Sequence, residues 1–175
     1  FLLAPSFLGN GDLSYSRLVF THRQYFTILP KTMNLAYRFS YQGKLSGEMP
    51  FYMLPFVFNS APQLTRDGLG GAKTMRGILR NRVVGEDFFY GNLELRWKVF
   101  RTVVFNQNLY IAIAGFLDGG MVTGEYKLQE PLEEYAEEAN AWLSQGDEES
   151  MHLSYGAGLH FALNENFIVT VDYGL

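Results

Sequence analysis

The chain has 175 residues, 16% of them aromatic and 18% charged, with no cysteine and a formal net charge of −4. That length bounds it to one ordinary domain, and the lack of cysteine excludes disulfide frameworks and thiolate metal sites. No run nears the roughly 20 apolar residues of a membrane helix, which excludes helical spans but leaves a barrel open, since its strands need only about 9 to 11 residues with one apolar face. The charge is uneven: residues 125–149 hold nine acids and one lysine, a balance of −8 that leaves +4 on the rest. With no concentrated basic patch set in a known module, no nucleic acid is expected as a partner.

Residues 1–5 read as the tail of a strand, lacking the basic start and apolar run of a signal peptide. A Gly/Asn-rich turn over 7–12 follows, then a β-rich stretch from Leu13 to Ile28. Leu13 and Tyr15 lie on one phase and Leu18 and Phe20 on the other, so the spacing predicts a bulge or register shift at Ser16-Arg17. Leu29-Pro30-Lys31-Thr32 is a short turn. The next segment alternates cleanly: Met33, Leu35, Tyr37, Phe39, Tyr41 and Leu45 point one way, and Asn34, Ala36, Arg38, Ser40, Gln42 and Lys44 the other.

A loop of nearly forty residues comes next, taken as 47–88 and rich in proline and glycine. Loops of that length are commonly functional. Beyond it Phe89, Gly91, Leu93, Leu95, Trp97 and Val99 share one face of a strand, while Asn92, Glu94, Arg96 and Lys98 share the other. A turn is expected over 102–108. In the following strand Leu109, Ile111, Ile113, Gly115 and Leu117 alternate with Tyr110, Ala112, Ala114, Phe116 and Asp118, which places Asp118 on the face of Glu94 if the two strands pair.

Residues 129–144 change period, with Leu132, Tyr135, Ala136, Ala139, Trp142 and Leu143 at helical spacing, so a short acidic amphipathic loop helix is expected there. Met151 to Leu163 and Phe167 to Leu175 return to strand alternation around an Asn164-Glu165-Asn166 turn. Both ends of the chain read as strand, an expectation that the wall continues past them. Apolar faces bearing Tyr, Trp and Phe near their ends, opposed by faces carrying Arg38, Lys44, Glu94, Arg96, Lys98 and Asp118, match lipid outside and water or an inserted loop within. The expectation is an all-β chain: part of a transmembrane antiparallel β-barrel, about seven strands, with a long lumen-inserted loop.

Inside that loop Gly70-Gly71, then Met75-Arg76-Gly77-Ile78, precede Asn92-Leu93-Glu94-Leu95-Arg96 and Phe116-Leu117-Asp118-Gly119-Gly120. In this order the motifs resemble the C-terminal barrel of the BamA/TamA outer-membrane insertase superfamily, the bacterial surface antigen family, with a Bacteroidetes-like flavour. The resemblance implies a barrel of sixteen strands whose first eight and last lie outside this chain, with POTRA domains upstream. It implies that Arg76 and Gly77 form the tip of the sixth extracellular loop, folded back into the lumen. Glu94 and Asp118, on the equivalents of the twelfth and thirteenth strands, would then be the acids that hold Arg76. Gly70, Gly71, Met75 and Ile78 would support the tip, and Arg38, Arg96 and Lys98 would line the lumen. The family's tip ends in an aromatic residue where this chain has Ile78.

What the resemblance implies for function is assembly: folding and inserting β-barrel proteins in a Gram-negative outer membrane. Its partners would be outer-membrane lipids, client barrels and accessory assembly subunits, with no cofactor, no nucleotide and no covalent step. A transport pore or two-partner-secretion translocator is the alternative, and an enzyme-linked barrel of the patatin-associated kind a third. Glu94 and Asp118 could form a general acid/base pair, but no nucleophile accompanies them. His22, His152 and His160 lack metal-ligand spacing, and Gly70-Gly71 lacks that of a phosphate loop.

Overall fold

The computed structural model describes residues 2–4, 14–60, 63–124, 150–164 and 166–175, and these are all-β apart from one 3-10 turn at Phe51–Met53. Seven strands form a single sheet: β1 (Leu2–Ala4), β2 (Tyr15–Leu29), β3 (Met33–Gly47), β6 (Asp87–Val104), β7 (Gln107–Gly124), β8 (His152–Leu163) and β9 (Phe167–Gly174). They lie in the order β1-β2-β3-β6-β7-β8-β9 with every neighbouring pair antiparallel. The remaining two, β4 (Val57–Ser60) and β5 (Gln63–Thr65), pair with each other inside the long connection between β3 and β6. The acidic helix expected over 129–144 lies outside the described residues.

The sheet follows from the period-two patterning, and local chemistry explains its irregularities. The register shift expected at Ser16-Arg17 is present in the β2–β3 ladder, and it turns both Ser16 and Arg17 inward, each under 10% exposed. A second shift, between Lys98 and Phe100, changes the phase of β6. It is the reason the connection is narrower than the 102–108 expected from alternation. The strands run on to Val104 and from Gln107, leaving a two-residue turn at Phe105-Asn106 with φ of 49° and 60°. Two successive positive φ values are the turn whose twist suits a hairpin. The long loop is likewise 48–86 rather than 47–88, because Gly47, Asp87 and Phe88 belong to strands.

This loop folds back over one face of the sheet. Gln42 donates to Phe58 O at 3.0 Å and accepts from Phe58 N at 3.2 Å, and Arg38 Nη2 donates to Lys73 O at 2.7 Å. At the loop's base Arg17 donates to Glu86 O at 3.0 Å and lies over the Phe88 ring. The faces divide as the alternation predicts, but in the sense opposite to a water-soluble sandwich. On the loop face Ser40, Gln42, Glu94, Asp118, Ser154 and His160 are buried. On the other face Leu93, Leu95, Trp97, Ile113, Leu117, Leu153, Tyr155, Leu159 and Phe161 are exposed. What apolar core exists lies between loop and sheet, where Val57, Leu69, Met75 and Val83 pack on Phe88, Tyr90 and Val122.

The β6–β7 turn yields a direct test. Phe105 is 95% exposed in a left-handed conformation that disfavours an aromatic side chain. Phe105→Asn with Asn106→Gly supplies the preferred residues for this turn and is expected to raise stability by roughly 1 kcal/mol, read as a higher denaturant midpoint with unchanged slope.

Candidate functional site

The site is built on the tip of the long loop, and the loop's own hydrogen bonds shape that tip. Gly71 N donates to Ile78 O at 2.9 Å, closing the segment, with Gly71 and Gly77 at φ of 79° and 85°. The buried Thr74 hydroxyl accepts from Gly70 N and donates to Gly70 O, both at 2.7 Å. An added Cβ on Gly70 would strike the backbone at Leu79, so only glycine allows this closure. Met75, fully buried, anchors the tip in the apolar cluster, with Ile78 packed against the same group. Gly70, Gly71, Met75 and Ile78 therefore shape and seat the turn that presents Arg76.

Around Arg76 the strands converge. Its Nε donates to Asp118 Oδ2 at 2.8 Å and its Nη2 to Asp118 Oδ1 at 3.0 Å, a two-pronged pair, while its backbone N–H adds a third bond to Asp118 Oδ2 at 2.9 Å. Nη1 donates to Glu94 Oε2 at 2.6 Å, and Glu94 also accepts from Arg96 Nε. Below the guanidinium lies the Phe116 ring, 3.7 Å from Cζ to the ring centroid. The register explains the convergence: Glu94 pairs with Phe116 and Asn92 with Asp118, so the acids lie diagonally on one face with the ring between them.

Burial alone would lower the Arg76 pKa. Hydrogen bonds and charge from Asp118, then Glu94, outweigh it and hold the value above that of ordinary arginine. Arginine is charged across the ordinary pH range, and removing it leaves Asp118, which is wholly buried, without its counter-ion.

Sequence reasoning missed three parts of the site. Asp172 on β9 is a third acid, 3.5 Å from Arg76 Nη1, with its other oxygen 3.6 Å from His160 Nε2. Its signal was available, since it is the one carboxylate in β9 and shares the phase of Thr170 and Gly174. Phe116 was placed on the correct face without a role as the platform. Gly77 meets Gly174 backbone to backbone: an added Cβ on Gly174 would lie 2.9 Å from Gly77 N. The tip thus touches strands β6, β7 and β9.

The other residues assigned to this face divide. Arg38 is spent on neutral acceptors, Asn92 Oδ1 at 2.7 Å and the Lys73 and Thr74 carbonyls, and it stacks on Tyr90. Arg96 is turned to Glu94, and Lys98 lies over the Tyr110 ring, away from the tip. A cavity of about 450 Å³ beneath the tip is lined by Arg23, Arg38, Lys73, Arg96, His160 and Asp172 among others. His22 instead reaches Tyr37 on β3, and among the described residues no group of three His, Cys, Asp or Glu could hold a metal.

The bond pattern ranks substitutions. Arg76→Ala or Asp118→Asn is expected to destabilise by about 3 kcal/mol or more, since each breaks a buried ion pair. Asp172→Asn, at a long and partly exposed contact, should cost under about 1 kcal/mol. Unfolding midpoints of the three variants check this order, and equal midpoints would contradict it.

No family model, curated protein or solved structure matches this chain.

Proposed function

We propose that this chain is part of the wall of a bacterial outer-membrane β-barrel of the BamA/TamA insertase kind, whose work is to fold and insert other β-barrel proteins. The observation that carries this reading is the Arg76 tip of a folded-back loop, forked onto Asp118 and Glu94 on the polar, buried face of a sheet whose other face is apolar and exposed. Soluble monomers rarely expose contiguous apolar patches beyond a few hundred Å². A face carrying Leu93, Leu95, Trp97, Ile113, Leu117, Leu159 and Phe161 calls for a cover, and hydrocarbon provides it without a partner of matched shape. The connections support the same reading. Those at 30–32, 105–106 and 164–166 are short, while the β3–β6 and β7–β8 connections at the opposite end are long.

On this reading the acids do no proton transfer. Both carboxylates of the central pair are engaged by one guanidinium, which keeps them in the charged form that cannot donate a proton. They fix the loop against strands β6, β7 and β9, which makes the loop a strut for the wall. Catalysis here means a lower barrier to insertion in the surrounding bilayer, with client barrels, lipids and accessory subunits as partners and no cofactor.

A second reading, a transport pore or two-partner-secretion translocator, draws on the cations of the loop face, Arg38, Arg96 and Lys98. One reconstitution separates the two. The full-length protein in liposomes is expected to speed the folding of an added barrel client at least tenfold over empty liposomes, and Arg76→Ala to lose most of that gain. Unchanged client folding together with steady ion currents would replace the insertase by the pore.

A further inference from the structure

The search for chemistry away from the tip leads to the end of the sheet where the short turns meet. Lys98 N donates to Thr32 O at 2.8 Å and Asn164 N to Asn108 O at 2.7 Å, which ties the β2–β3 and β8–β9 turns to β6 and β7. Between these turns lies a cleft of about 660 Å³ lined by Lys31, Lys98, Arg101, Asn108, Tyr110 and Asn164, with Thr102, Val103 and Leu109 completing it. Three cations, two amides and two hydroxyls line it, and among the described residues no carboxylate does. Nor does any of the three cations form an ion pair with a described acid, whereas the acids of the tip are all taken by Arg76, Arg96 and His160.

Two departures from regular backbone bring these cations together. Residues 98 and 101 would face opposite sides of an unbroken strand. The shift between Lys98 and Phe100 lets Lys98 pair with Ala112 and Arg101 with Tyr110, two positions on the same face. Lys31 has a φ of 63°, a left-handed conformation that glycine or asparagine adopts more readily than lysine. Like charges gathered on one face repel one another. A bulge and a strained lysine that both add positive charge to an acid-free cleft are the arrangement of a site completed by an anion. The Lys98 ammonium is already placed, 4.3 Å from the Tyr110 ring centroid, and Arg101 supplies a planar donor fork.

We propose that this cleft is a phosphate-binding site in which Lys31, Lys98 and Arg101 neutralise the oxyanion and the Asn108 and Asn164 side chains border it. The phosphate is that of an anionic lipid headgroup or a free phosphate, and the proposal does not depend on the insertase reading. The test uses the full-length protein in detergent with two probes, phosphatidylglycerol followed by native mass spectrometry and inorganic phosphate followed by equilibrium dialysis. Wild type is expected to retain one or both, and Lys98→Gln with Arg101→Gln to weaken retention by roughly tenfold or more, as loss of two cations near an anionic surface implies. Lys98→Arg should keep it. Retention of lipid alone assigns the headgroup, and retention of both assigns the oxyanion itself. A double variant that still runs as a folded, heat-resistant species yet binds like wild type overturns the proposal. So does a wild type that retains neither probe.

Discussion

The structure depends on one buried guanidinium. Arg76 brings a positive charge to the middle of a sheet face, and that face answers with Asp118, Glu94 and, from the edge strand, Asp172. Taken singly these acids would be costly to bury, Asp118 above all because it has no exposure to water. Together with the arginine they form a network in which both oxygens of Asp118 accept hydrogen bonds and the cation rests on an aromatic ring. Such a network is worth little as a source of net stability compared with an apolar core. Its value is geometric: a two-pronged pair admits one orientation of the tip and one register of the strands beneath it.

That constraint explains why a loop of this length can be ordered at all. Ordering a loop of this length costs a large conformational entropy, and its described residues offer a small apolar cluster in return. Its fastening is distributed among anchors of different kinds: Arg17 at the base, Gln42 on β4, Arg38 and Asn92 on the carbonyls of Lys73 and Thr74, and the Arg76 fork at the tip. Most lie on the sheet face that a soluble β-protein would fill with leucine and valine. The sheet face under the loop is a polar seat in place of a packed core, and the exposed apolar side chains lie on the opposite face.

Much of this was legible in the residues. Clean alternation in 33–45, 89–99 and 109–118 identified both faces, and the phase break at Ser16-Arg17 gave a bulge that the β2–β3 ladder contains. Arg76 could be matched to Glu94 and Asp118 because two acids fell on one polar phase of consecutive strands. The rest was hidden for identifiable reasons. A one-residue shift after Lys98 scrambles the alternation, so the β6–β7 turn read as seven residues instead of two. Phe116 was legible as an inward residue but not as a platform, because alternation tells which way a side chain points and not what rests on it. Asp172 went unassigned although it is the one carboxylate of β9 and lies on the inward phase, because its partner is 96 residues away along the chain.

The central claim, that the apolar side chains face hydrocarbon and the charged network lies inside, can be tested strand by strand. The chain has no cysteine of its own, so single cysteines can be placed along β7, in full-length protein with any cysteine elsewhere replaced, and labelled with a nitroxide in lipid bilayers. The most direct measurement is collision of that nitroxide with oxygen, which partitions into hydrocarbon, against collision with a water-soluble relaxant. The account predicts high oxygen contact at Ile111, Ile113 and Leu117 and low oxygen contact at Ala112, Ala114 and Phe116, with a period of two. Uniform contact along the strand, or the opposite phase with Ile113 and Leu117 shielded from lipid, would contradict it.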